Sequence, residues 1–110
     1  MTEREFQRTV IATARHLGWR VAHFGAATVR SGRVLTPVLA DGAGFPDLVL
    51  VRERIVYVEL KSAKGRLSPR QREWMRALLE AGQEAYVWRA SDWQDGTIES
   101  VLRAKAVAAA

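Results

Sequence analysis

Residues 44–61 read GFPDLVLVRERIVYVELK, and the fold turns on this stretch. Two apolar runs, Leu48–Val51 and Ile55–Leu60, flank the charged triplet Arg52-Glu53-Arg54. Short β-prone runs around a polar loop predict a β-hairpin. With Glu53 at the centre of the loop, Val51 faces Ile55, Val49 faces Tyr57 and Asp47 faces Glu59. Side chains directly opposite stand about 4.5–5.5 Å apart at Cβ. Strand alternation then puts Asp47, Glu59 and Lys61 on one face, at one end of the hairpin. The other face carries Leu48, Leu50, Val56, Val58 and Leu60. Because Val49, Val51, Ile55 and Tyr57 are apolar too, the pattern predicts central strands covered on both sides.

On the C-terminal side, SAKGRL at 62–67 is a polar turn, and Ser68-Pro69-Arg70-Gln71 opens a helix. Ser suits the N-cap, Pro the first helical position, and Gln the third position of a capping box. The helix is expected to run to about Ala81, with Gly82 as its stop and Gln71, Trp74, Met75, Leu78 and Leu79 on one face. Gln71 is thus the cap partner of Ser68, and it also begins the face that reaches toward the acids. Residues 84–89 predict a further strand, followed by a short turn around Trp93 and a final helix over 97–107.

On the N-terminal side, residues 2–17 predict an amphipathic helix with Phe6, Val10, Ala14 and Leu17 at helical spacing. Thr2 and Glu5 form a capping box, so Glu5 already has a role. Glu3 instead extends the core-facing stripe through Gln7, Val10 and Ala14 and is the helix's candidate functional acid. Residues 19–24 predict a strand. Residues 25–43 predict a loop with a short strand at Val34–Val38. Arg30 and Arg33 in that loop, and Arg66, Arg70 and Arg72 near the second helix, either meet phosphates or keep their segments solvated. His16 and His23 lack a metal-binding spacing. Trp74 and Trp88 are assigned to the core; Trp19 and Trp93 fit either core or an exposed stacking surface.

The element order predicts one α/β domain over residues 1–110, a mixed sheet flanked by helices. Hydrophobic residues make up 48% of the chain, which fits a globular domain, and the net charge of +5 favours a polyanionic partner. No apolar run reaches the roughly 18 residues of a membrane span. The charged start MTEREFQRTV is unlike a signal peptide, and there is no cysteine, so a cytoplasmic location is expected.

Paired carboxylates beside a lysine suit phosphodiester hydrolysis. That reaction needs a nucleophilic water at neutral pH and charge stabilisation on phosphate oxygens, both of which a divalent ion supplies. Mg²⁺ takes oxygen ligands, commonly one or two carboxylates. Asp47 and Glu59 offer these, the Leu60 carbonyl offers a third ligand, and Lys61 is placed to orient water and offset phosphate charge. A bare Asp…Glu-x-Lys pattern also arises as a turn residue and a solvated ion pair. Pro46, the apolar strands and the face-to-face geometry favour a site.

At these residues the sequence resembles the PD-(D/E)xK nuclease superfamily, through Pro46-Asp47 and Glu59-Leu60-Lys61. More narrowly it is similar to the small stand-alone VRR-NUC nucleases of phages and bacteria. The wider pattern comprises Glu3 with Phe6-Gln7, Gly18-Trp19, His23, Gly44-Phe45, Gly65, Leu67-Ser68, Gln71, Trp74 and Val87-Trp88-Arg89. The resemblance implies a restriction-endonuclease-like core and Mg²⁺- or Mn²⁺-dependent DNA cleavage in a bacterial cell, by a host- or phage-encoded protein. It implies metal binding by Asp47, Glu59 and the Leu60 carbonyl, with Lys61 catalytic. Glu3 matches the first-helix acid, and Gln71 the glutamine after Glu-x-Lys. It further implies a Holliday-junction-resolvase-like homodimer acting on branched or four-way DNA. The alternative is a non-catalytic DNA-binding module with a nuclease-like fold.

Overall fold

In the computed structural model, which describes residues 1–25, 27, 28, 34, 35 and 39–105, the hairpin has the register expected from its loop. Strand β4 (Leu48–Val51) pairs antiparallel with β5 (Ile55–Leu60), with Val49 opposite Tyr57 and Val51 opposite Ile55. On the outer side of β4 lies β1 (Arg20–His23), also antiparallel; beyond β5 lies β6 (Glu84–Trp88), parallel to it. The result is a four-stranded mixed sheet in the order β1-β4-β5-β6. The crossover from β5 to β6 is helix α2 (Pro69–Glu80), as a parallel pair requires. Within the expected strand at Val34–Val38, the described residues Val34–Leu35 form β3, paired with Ala27–Thr28 (β2) in a separate ribbon. Arg30, Arg33 and residues 36–38 lie outside the described residues.

Helix α1 (Glu3–His16) starts at the Thr2–Glu5 capping box and ends before Gly18, whose φ of +91° favours glycine. Its buried stripe, Phe6, Val10 and Ala14, packs on the sheet face of Leu48, Leu50, Val56 and Val58. Each of those four side chains is fully buried, worth about 1.5–3 kcal/mol apiece against exposure. Helix α4 (Thr97–Arg103) covers the same face with Ile98 and Leu102. Trp19 and Trp88 belong to this core, and Trp93 packs half-buried against it.

Coverage of the second face departs from expectation. Among the described helices α2 lies there, and it shields the end near Asp47, where Phe45 sits edge-on to both Trp74 and Tyr57. At the hairpin tip Val51 and Ile55 remain 40% and 42% exposed. Leu79, expected on the buried face of α2, is also exposed, because the helix meets the sheet mainly through Met75 and Leu78. The segment around Trp93, expected as a turn, is a short helix, α3 (Ala90–Gln94), with Arg89 at its N-cap. Asp92 supplies its cap bond, accepting from the Arg89 N–H at 2.8 Å. The last helix ends at Arg103, short of the expected 107.

The loop triplet has a structural role that periodicity could not reveal. The Arg52 guanidinium lies 4.4 Å from the centre of the Trp19 ring and donates to the carbonyls of Leu17, Leu102 and Ala104. Arg54 lies 5.0 Å from the same ring, donates to the Val101 and Ala104 carbonyls, and pairs with Glu84 at 2.8 Å. Carbonyls at helix C-termini lack intrahelical partners and carry partial negative charge. The two arginines satisfy them for both α1 and α4. Among the described residues no helix is long and apolar enough to cross a membrane.

Candidate active site

The hairpin end opposite the loop brings Asp47 and Glu59 together, and each carboxylate binds the other strand's backbone. Glu59 Oε1 accepts from the Asp47 N–H at 3.2 Å, and Asp47 Oδ2 accepts from the Leu60 N–H at 2.9 Å. These two bonds continue the β4–β5 pairing past Leu48 by side chains. Lys61 Nζ stands 3.6 Å from Glu59 Oε2. Gln71 Nε2 donates to that same oxygen at 3.0 Å. The cap bond and the contact with Glu59 therefore come from one side chain: its Oε1 accepts from the Ser68 N–H at 2.8 Å.

Gly44 makes this arrangement possible. Its φ is +86°, and a Cβ there would stand 2.7 Å from the Arg70 carbonyl carbon and 2.8 Å from the Gln71 nitrogen. Only a glycine lets the loop before Asp47 press against the first turn of α2.

Burial and mutual repulsion set the electrostatics. Glu59 is 2% exposed, and its carboxyl is pushed up to about 7 by burial first and by the Asp47 charge second, with Lys61 opposing. Asp47 is also raised by burial, against the Leu60 N–H, Lys61 and His23, which favour its charge. Without a cation, the pair therefore holds a proton well above the usual carboxylate range.

A cavity of about 570 Å³ opens in front of this pair. Asp47, Leu60 and Lys61 line it from the sheet, Glu3, Arg4 and Gln7 from α1, and Ser62, Ala63 and Gly65 from the turn after β5. Glu59 lies behind this wall. Glu3 is exposed and does not join the two acids: among the described residues, no three His, Asp or Glu side chains stand close enough to hold one ion. Arg66, Arg70 and Arg72 are exposed.

The donor set fits a hard divalent cation. It consists of two carboxylates that repel each other, beside Leu60 on the cavity wall, and a cation at that point would replace the retained proton. His23 has no metal-binding spacing with His16 in the sequence. It is exposed, but its Nε2 lies 2.6 Å from Gln7 Nε2, so it is tied to the cavity wall. In the sequence Gln7 is marked by the helical stripe it shares with Glu3 and by the Phe6-Gln7 pair of the family-like pattern.

The VRR-NUC domain profile matches residues 29–92, more than half of the chain and a span that includes Asp47, Glu59, Lys61 and Gln71. This chain belongs to the VRR-NUC family. Membership places it in a nuclease-type, DNA-binding family. The VRR-NUC match begins after Glu3, so it does not bear on the first-helix acid. A solved structure described as "VRR_NUC domain protein" superposes with a TM-score of 0.62 at 24% identity, covering 92% of this chain and 85% of that one. At that identity the likeness speaks for the fold, a VRR-NUC mixed sheet flanked by helices. No curated protein matches the chain.

Proposed function

We propose that this VRR-NUC chain is a divalent-cation-dependent endonuclease that hydrolyses phosphodiester bonds in branched DNA. The observation that carries the reading is the convergence of Asp47, Glu59 and Lys61 at one sheet end, with Lys61 Nζ 3.6 Å from Glu59 and Asp47 and Lys61 open to a cavity. Asp47, Glu59 and the Leu60 carbonyl would hold Mg²⁺ or Mn²⁺. Such an ion supplies acidified water and positive charge for the phosphate oxygens. Glu59 is aimed by Gln71 and by the Asp47 N–H, which lowers the cost of bringing two carboxylates together. The Lys61 ammonium stands beside the carboxylates on the cavity wall, where it hydrogen-bonds the attacking water and offsets phosphate charge. Glu3, from α1 on the same cavity, binds through solvent or substrate rather than as part of a three-acid cluster.

The preferred substrate is a four-way or otherwise branched junction, cut by a homodimer in the manner of a Holliday-junction resolvase. Two equivalent strands at such a junction match the two equivalent sites of a C₂ dimer. The test is a panel of duplex, flap and four-way DNA incubated with Mg²⁺ or Mn²⁺ and with wild type, Glu59→Ala and Lys61→Ala. Cleavage of junction DNA by wild type alone supports the reading. Wild-type-like cutting by Glu59→Ala sinks it, and binding without cutting by the wild type identifies a non-catalytic module instead.

A further inference from the structure

We infer that Arg89 is a positioning residue for Lys61, acting through the turn at 62–65; its effect on cleavage rests on the nuclease reading above. Arg89 Nη1 donates to the Ser62 carbonyl and, at 2.7 Å, to the Gly65 carbonyl. The Ser62 carbonyl also accepts the Gly65 N–H at 3.2 Å, closing the turn. One guanidinium nitrogen thus holds both ends of a turn that forms part of the cavity wall.

The turn follows Lys61 directly in the chain and folds back beside it. A Cβ added to Gly65 would just reach van der Waals distance of Lys61 Cδ, 3.7 Å, so the turn flanks the aliphatic stem of the lysine. The Lys61 backbone is fixed from the same neighbourhood, its N–H donating to the Trp88 carbonyl at 3.0 Å. Consecutive residues at the end of β6 therefore hold Lys61 twice: Trp88 by its main chain and Arg89 through the turn. The Arg89 backbone is itself fixed, its N–H donating to Asp92 at 2.8 Å. Among the described residues Arg89 pairs with no carboxylate, so its charged donors serve neutral carbonyls of this turn. Polar turns are ordinarily among the first segments to open locally. A charged hydrogen-bond donor at both of its ends opposes that where the lysine must stay in place.

The test compares wild type, Arg89→Ala and Arg89→Lys by hydrogen exchange and by steady-state cleavage of junction DNA with Mn²⁺. Arg89→Ala is expected to speed exchange across 61–67, while β4 and α1 stay protected. It is expected to lower kcat about 10- to 100-fold, the scale of a small misplacement of a reacting group. KM should stay within about threefold, and stabilisation by Mn²⁺ should persist, because Asp47 and Glu59 are untouched. Arg89→Lys, which keeps a charged donor without the planar fork, should recover part of kcat. If Arg89→Ala does not fold, Arg89→Lys is read by the same measures for an intermediate loss. A raised KM with kcat intact would make Arg89 a phosphate contact and overturn the inference, as would unchanged exchange over 61–67. Should the wild type cut no DNA, the nuclease reading falls, and the exchange comparison still decides whether Arg89 holds the turn and Lys61.

Discussion

Gln71 links the start of α2 to Glu59: its Nε2 donates to Glu59 Oε2 at 3.0 Å while its Oε1 accepts the Ser68 N–H at 2.8 Å. One side chain closes a helix cap and orients a buried carboxylate. Replacing it by Ala should cost about 1 kcal/mol of stability through the lost cap bond. Cleavage should fall by about tenfold or more, since the aim of Glu59 is lost. Chemical denaturation and kcat on the same variant measure the two effects separately.

Gly44 tests the approach of loop to helix. A Cβ 2.7 Å from the Arg70 carbonyl carbon meets backbone, which cannot swing aside. Gly44→Ala should therefore cost on the order of 2 kcal/mol and shift α2 away from Asp47. Thermal melting reads the first effect. A weakened cation response reads the second, and an Ala variant with wild-type stability and cleavage would contradict the packing described.

Stability without a cation should depend on pH through Glu59. Its carboxyl lies near 7 in the fold against an ordinary 4.5, so the folded state binds the proton more tightly than the unfolded chain. Stability then falls as pH rises from about 4.5 to about 7, by at most on the order of 3 kcal/mol. Denaturant midpoints at pH 5 and pH 8 with chelator present measure the slope. Glu59→Gln, which stays neutral, should flatten it.

Cation addition should act in the opposite sense. Mn²⁺ held by Asp47 and Glu59 should stabilise the folded state by about 2.7 kcal/mol at a hundredfold excess over Kd, roughly 11–22 °C in Tm for a domain of this size. Because the ion replaces a proton, the shift should grow between pH 6 and pH 8. Asp47→Ala and Glu59→Ala should abolish it. A wild-type Tm unmoved by millimolar Mn²⁺ would argue against a cation site at this pair.

Arg54 separates fold from chemistry. It bonds the Val101 and Ala104 carbonyls, pairs with Glu84 and stacks over Trp19, all away from the cavity. Arg54→Ala should cost about 2 kcal/mol and lower Tm by roughly 8–16 °C. Cleavage measured well below Tm should stay within about twofold of wild type.

Much of this molecule follows from short-range pattern. The register of β4 and β5, the two capping boxes and the facing of Asp47 and Glu59 all come from strand alternation, loop length and cap chemistry. Those are properties of neighbouring residues, and the sequence by itself determined them. It also marked Gln71 twice, as a cap and as the start of a buried face, without showing that one side chain does both. Tertiary structure decided the rest, because it depends on contacts between distant segments. Only the folded chain shows that α2 leaves Val51 and Ile55 open, that Arg52 and Arg54 close two helix ends over Trp19, and that Glu3 lines the same cavity as Asp47 without joining the two acids. The raised carboxyl of Glu59 belongs there too. Its cause is desolvation, and how much water a side chain loses is set by everything packed around it.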